Sequence, residues 1–153
     1  MKMRYLEAPN NCDVAEFVDV QSIFLAGGIS GCEPWQFDFA KRFEDTDLFV
    51  VNPRRREEFG KEGPEAKRQI KWEHFWLGNT EAVSFWFTPE TIQPITLFEL
   101  GKVLDKKYNL FVGVHPDYER RFDLEVQVEL VRPEIEIVSS LDELENQIRR
   151  WLV

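Results

Sequence analysis

Apolar residues along this chain fall into two alternating patterns. Short unbroken runs occupy residues 22–26, 47–51, 82–87, 110–114 and 134–138. The first four close on turn-forming pairs: Gly27-Gly28, Asn52-Pro53, Thr88-Pro89 and His115-Pro116. Short apolar runs without polar alternation predict strands covered on both faces, the condition of a parallel sheet. Between them, longer stretches space their apolar residues at helical intervals. Residues 34–44 place Trp35, Phe39 and Phe43 on one stripe, and 65–78 carry Ile70, Phe75 and Leu77 among charges. Residues 94–107 carry Leu97, Leu100 and Leu104, and 141–152 carry Leu144, Ile148 and Trp151 or Leu152. Pro34 and Pro94 suit first helical turns, and Ser139-Ser140 signals a cap for the last helix. Residues 117–131 read as part loop and part helix.

Strand and helix alternating in this way predict right-handed βαβ units. The expected fold is an α/β, flavodoxin/Rossmann-like three-layer sandwich with a five-stranded parallel sheet. Its 153 residues fit a single domain, 1–153, without repeat or linker. Ligands of such sheets bind beyond the carboxyl ends of the strands. That singles out residues 27–31, 52–56, 88–99 and 115–123.

Composition narrows the chemistry. A net charge of −9 removes the general positive field on which polymeric DNA or RNA binding depends. Residues 1–10 lack an apolar core of signal-peptide length, and no run is long enough to span a bilayer. With Cys12 and Cys32 as the only cysteines and His74 and His115 as the only histidines, neither a disulfide scaffold nor a zinc site is expected. These features point to a cytosolic protein with reduced thiols, no metal and no membrane contact.

Several segments at the expected strand ends carry candidate chemistry. Gly27-Gly28-Ile29-Ser30-Gly31 suits a cradle for a sugar or anion, although an ordinary βα loop has the same composition. Its spacing matches neither the dinucleotide fingerprint nor the P-loop. Glu99 lies between Phe98 and Leu100, with Ile95 and Val103 one turn away on its own face. A carboxylate at the edge of an apolar stripe is costly to bury, and an early helical position offsets part of that cost. It is a candidate nucleophile; the alternative is a glutamate turned to water or paired with Lys102 or Lys106. Glu73, on the preceding helix, could face Glu99 in the two-carboxylate arrangement of retaining glycosyl transfer, or be a solvated helix residue. Arg54-Arg55-Arg56 could hold a phosphate, but reads better as a solvated turn pairing with Glu57 and Glu58. His115 is a possible acid or base on a polar loop.

The segments IFLAGGISG, WEHFWLGNTEAVSFWF, PITLFELG and VGVHPDYERRFDLE, in this order across roughly residues 22–125, resemble the nucleoside 2-deoxyribosyltransferase superfamily. The resemblance implies Glu99, in the ELG segment, as the nucleophile that carries a covalent 2-deoxyribosyl group between nucleobases. It implies Glu73 as the residue that contacts the base and shuttles its proton, where the family typically has Asp. It further implies Glu90 and the loop of Gly27, Gly28 and Ile29 at the sugar. Asp123 stands where the family often reaches from a neighbouring subunit, with an Asn, towards the 5′-hydroxyl. A carboxylate there would favour nucleosides over 5′-phosphates, unless Arg120 and Arg121 reverse the field. No cofactor is implied. The expected partners are a nucleoside, a nucleobase and further copies of the chain, with Trp72 to Trp76 as a candidate interface. Trp35, Trp72, Trp76 and Trp86 are candidate stacking surfaces for the base. Water in place of the second base would make the same residues a nucleoside or nucleotide N-glycosidase. A non-catalytic nucleotide-binding module is the competing class.

Overall fold

A computed structural model describes residues 2–152. Six strands, all parallel, run β1 (Arg4–Glu7), β2 (Ser22–Gly27), β3 (Phe49–Asn52), β4 (Ala82–Phe87), β5 (Asn109–Val114) and β6 (Ile137–Val138). They lie side by side in the order β1-β3-β2-β4-β5-β6. The helices are α1 (Trp35–Lys41), α2 (Pro64–Asn79), α3 (Pro94–Val103), α4 (Arg121–Val131) and α5 (Leu141–Leu152), with a short 3-10 turn at Val14–Glu16.

The sheet separates two apolar layers. On one face α2, α3 and α4 press Trp72, Trp76, Leu100, Val103, Leu124 and Val128 against Phe24, Phe85, Val112 and their neighbours. On the other, α1, the turn after it and α5 press Trp35, Phe39, Phe43, Leu144 and Ile148 against Ile23, Leu25, Val50 and Trp86. Every residue of β2, β3 and β4 is buried. Both faces of these strands are covered, which is why their sequences read as unbroken apolar runs. The architecture is the expected three-layer α/β sandwich.

The sheet has six strands rather than five. The additional one, β1, pairs with β3 at an edge, and Leu6 is its one buried residue. Four residues with a single inward side chain leave no periodic signal. Pro64 and Pro94 occupy first helical turns, and Ser140 Oγ accepts from Glu143 N at 3.1 Å to cap α5. The stripe expected on α2 is shifted. Ile70 and Phe75 are exposed, whereas Ala66, Gln69, Trp72 and Trp76 face inward. Apolarity alone had favoured Ile70 over the buried Gln69, whose amide finds partners described below. Trp72 and Trp76 are therefore core residues, not an interface surface.

Chain order reverses at β2: β3 lies on one side of it and β4 on the other. The carboxyl ends of β2 and β4 thus frame the crevice where doubly wound sheets bind ligands. The opposite edge of the sheet gathers both ends of the described chain. Lys2 N donates to Asp47 Oδ1 at 3.1 Å, and Gln21 Nε2 donates to the Trp151 carbonyl at 3.4 Å.

Candidate active site

The loops that leave β2 and β4 are bound to each other. Gly27 and Gly28 are buried at the end of β2. A Cβ on Gly27 would lie 2.4 Å from the Trp86 carbonyl, and one on Gly28 would lie 2.5 Å from Cys32 Sγ and 2.8 Å from Gln93 Oε1. The room these glycines make is taken by the protein's own atoms. Gly28 O accepts from Trp35 Nε1 at 3.2 Å and from Gln36 Nε2 at 3.1 Å. Gln93, in the left-handed region at φ 56°, accepts from Thr88 N at 3.1 Å and donates to the carbonyls of Thr88 and Thr91. Glu90 is exposed, and its Oε2 accepts from Glu33 N at 2.8 Å, bridging the two loops.

The arginine run after β3 is not a solvated turn. Arg54 donates to the carbonyls of Ile29, Cys32 and Glu33 at 3.0, 2.7 and 2.8 Å and so clamps the glycine loop from below. Arg55 pairs with Glu65 and Arg56 with Glu7, rather than with Glu57 or Glu58. Only Arg56 of the three is exposed. The carbonyls left bare by an irregular loop outcompete nearby carboxylates that can turn to water.

Glu99 and Glu73 come together across α3 and α2. Lys102 Nζ, one turn beyond Glu99, meets His74 Nδ1, next to Glu73, at 3.3 Å, which pins the helices side by side. No side chain among the described residues hydrogen-bonds the Glu99 carboxyl, and neither Lys102 nor Lys106 forms an ion pair with it. Burial, and then the charge of Glu73, push its pKa up to about 8, with Lys102 opposing. Glu99 sits in the second turn of α3, so the positive field at the helix start does not offset burial there. Glu73 is also raised by burial, but Gln69 and Arg55 pull it back. Gln69 Nε2 donates to Glu73 Oε1 at 3.2 Å and to the Pro53 carbonyl at 2.8 Å, while Arg55 Nε donates to Gln69 Oε1 at 2.7 Å. Gln69 was not singled out in the sequence, and Arg55 was read there only as part of a solvated arginine run. A Gln four residues before Glu73 on one helix was the available signal.

Asp123 lies apart from this pair within the chain. It pairs with Arg120 and accepts from Gln127 Nε2 at 3.4 Å. It borders a cavity of about 480 Å³ between α3 and α4, lined also by Leu97, Leu100 and Val128; neither Glu99 nor Glu73 lines it. Arg121 is occupied by Glu125 and Ser139. His115 caps its own turn, Nδ1 accepting from Asp117 N at 3.0 Å. The four candidate stacking tryptophans are all buried. Among the described residues there is no cluster of three or more metal-ligating side chains and no helix long and apolar enough to cross a membrane.

Fold and site thus define a doubly wound α/β protein with a half-buried carboxylate pair beside the crevice where chain order reverses. A model of the family described as nucleoside 2-deoxyribosyltransferase like matches residues 20–118, and the chain belongs to that family. A conserved protein from Enterococcus faecalis V583 has a similar fold, with a TM-score of 0.64 at 13% identity, over 87% of this chain and 99% of that one. No curated protein matches the sequence.

Proposed function

We propose that the protein transfers a 2-deoxyribosyl group between nucleobases by way of a covalent glycosyl-enzyme on Glu99. The observation that carries this is a half-buried carboxyl without hydrogen-bond partner, beside a second carboxyl that has one, in a chain of this family. Glu99 attacks the anomeric carbon from the face opposite the base as the glycosidic C–N bond breaks. Positive charge growing on the sugar stabilises the ionised form of Glu99 as it attacks. The departing base takes a proton with the help of Glu73. A second base then enters on the original face, giving net retention.

The other assignments belong to the same proposal. Gly27, Gly28, Ile29 and Glu90 shape the sugar site as a rigid wall. Asp123 serves the 5′-hydroxyl of a substrate in a neighbouring copy, which places it outside its own chain's pair. Exposed Ile95 and Phe98 on α3, and Phe122 and Leu130 on α4, support self-association around the site. A single cytoplasmic domain, with neither metal nor organic cofactor, completes the reading. The order of strands after β1 is that of a flavodoxin-like sheet.

The test is incubation with 2′-deoxyinosine, with and without adenine, beside the Glu99→Ala variant. Deoxyadenosine that needs both adenine and Glu99 establishes transfer. Free hypoxanthine without exchange makes the protein a hydrolase. Silence with deoxyinosine, thymidine and a deoxynucleoside 5′-monophosphate alike refutes the enzyme. The rate should fall as pH rises past about 8, since above it Glu99 has lost to water the proton that the departing base takes.

A further inference from the structure

Arg55 is an unusual group to find behind a carboxylate pair. Its side chain is only 10% exposed, and its guanidinium lies 4.5 Å over the Phe59 ring. Nη1 is spent on Glu65 at 2.7 Å and Nε on Gln69 at 2.7 Å. Nη2 is buried without a hydrogen-bond partner. The side chain is thus held by its neighbours while part of its charge is left uncompensated inside the protein.

Gln69 transmits this arrangement. An amide has one accepting end and one donating end. With Oε1 taken by Arg55, the NH2 end must face Pro53 O and Glu73 Oε1, as it does. A donor aimed at a carboxyl favours its ionised form, and so does a cation behind the donor. The groups that bear on Glu73 are Gln69 from its own helix, Arg55 from the loop after β3, and Glu99 from α3. Glu99 receives no donor; Lys102, shared with His74, is the one cation acting on it. Two neighbouring carboxylates shielded from water do not both ionise freely, and the one without a donor retains the proton.

We propose that Arg55 and Gln69 are positioning residues that keep Glu73 ionised, so that the carboxylate pair enters the reaction with one proton, held by Glu99. The chemical meaning of this relay rests on the deoxyribosyl-transfer reading. The proton that must leave Glu99 before attack is then the one the departing base requires. Glu99 exchanges its O–H bond for a bond to the anomeric carbon, the base exchanges its C–N bond for N–H, and Glu73 passes the proton and ends as it began. No proton is drawn from water, and charge is conserved throughout.

The relay is tested without turnover, by following carboxyl carbon resonances of the whole protein carrying 13C-labelled glutamate through a pH titration. Glu73→Gln and Glu99→Gln assign the two signals. Glu99 should titrate above Glu73. Arg55→Met should move the Glu73 midpoint upward and the Glu99 midpoint downward. Gln69→Glu keeps an acceptor for Arg55 and reverses only the end that faces Glu73. It should raise the Glu73 midpoint as well, and it decides the matter if Arg55→Met does not fold. Unmoved midpoints, or a wild type in which Glu73 holds the proton, overturn the proposal. Shifted midpoints in a protein without transfer activity keep the relay and remove the deoxyribosyl reading. Transfer with unmoved midpoints does the reverse.

Discussion

Glu99→Gln changes one atom and removes one ionisation, so its effect on stability follows from the burial of the site. In the unfolded chain Glu99 ionises near the ordinary value of 4.5, and in the folded protein near about 8. Between these values the native state binds the extra proton, so stability falls as pH rises through the window. It is fully present below 4.5 and fully lost above about 8. At about 1.4 kcal/mol per pH unit, the ceiling on the loss is roughly 5 kcal/mol. Glu99 is half-buried, and water screening at such a site reduces the expected loss to about 2 kcal/mol. The glutamine variant carries no such cost. Urea unfolding followed by tryptophan fluorescence should give matching midpoints at about pH 4 and a more stable variant at about pH 9, by about 2 kcal/mol. A difference that is constant with pH would mean that Glu99 meets water in the folded state. A variant that is less stable at high pH would mean that the carboxylate has a stabilising partner. Either result refutes the isolated carboxyl on which the nucleophile assignment depends.

The loops around the site give further tests. Gly28→Ala should cost about 1–3 kcal/mol in urea unfolding, because Cys32, Thr88 and Gln93 already fill the space for a Cβ. Arg54→Met should cost about 3 kcal/mol by releasing three carbonyls of the glycine loop, and hydrogen exchange should locate the loosening at residues 29–33. Gln93→Ala should leave Thr88 N unsatisfied and cost about 2 kcal/mol, with faster proteolysis between Thr88 and Thr91. Asp123→Asn should change stability by less than about 1 kcal/mol, since its pair with Arg120 is exposed. A change in KM for a deoxynucleoside with kcat held would support its place at a neighbour's 5′-hydroxyl, and an unchanged KM would remove it.

Strands buried on both faces were legible because burial on two sides forbids polar residues and leaves an unbroken apolar run. Strand β1 was not, since Arg4 and Tyr5 face solvent and only Leu6 is buried. Helix α1 and the turn after it kept the stripe of Trp35, Phe39 and Phe43 that the spacing implied, all three buried. The α2 stripe misled because its inward face contains Gln69, which is buried at 2% exposure only because Arg55, Pro53 and Glu73 satisfy it. Those partners lie partly outside the helix, where no local pattern can register them. The isolation of Glu99 was foreshadowed by its apolar flanks. Its company was only half visible: Glu73 lies on the preceding helix, but the arginine behind it comes from the loop after β3. For the same reason Arg54 looked solvated, because the carbonyls it serves are more than twenty residues earlier in the chain.

Lys2 and Trp151 both lie at the amino ends of the strands, and the carboxylate pair lies by the other end. An affinity tag, a fluorescent fusion or a surface tether joined next to Lys2 or Trp151 therefore projects away from the crevice at the carboxyl ends of the strands. The same proximity permits a circularly permuted chain: a short Gly-Ser bridge can join the old ends, and new ones can be opened in the exposed stretch 57–63. Such a permutant would keep Glu73 and Glu99 on intact helices while severing the connection between β3 and α2. That would allow the contribution of this crossover to the geometry of the pair to be measured separately from the sheet itself.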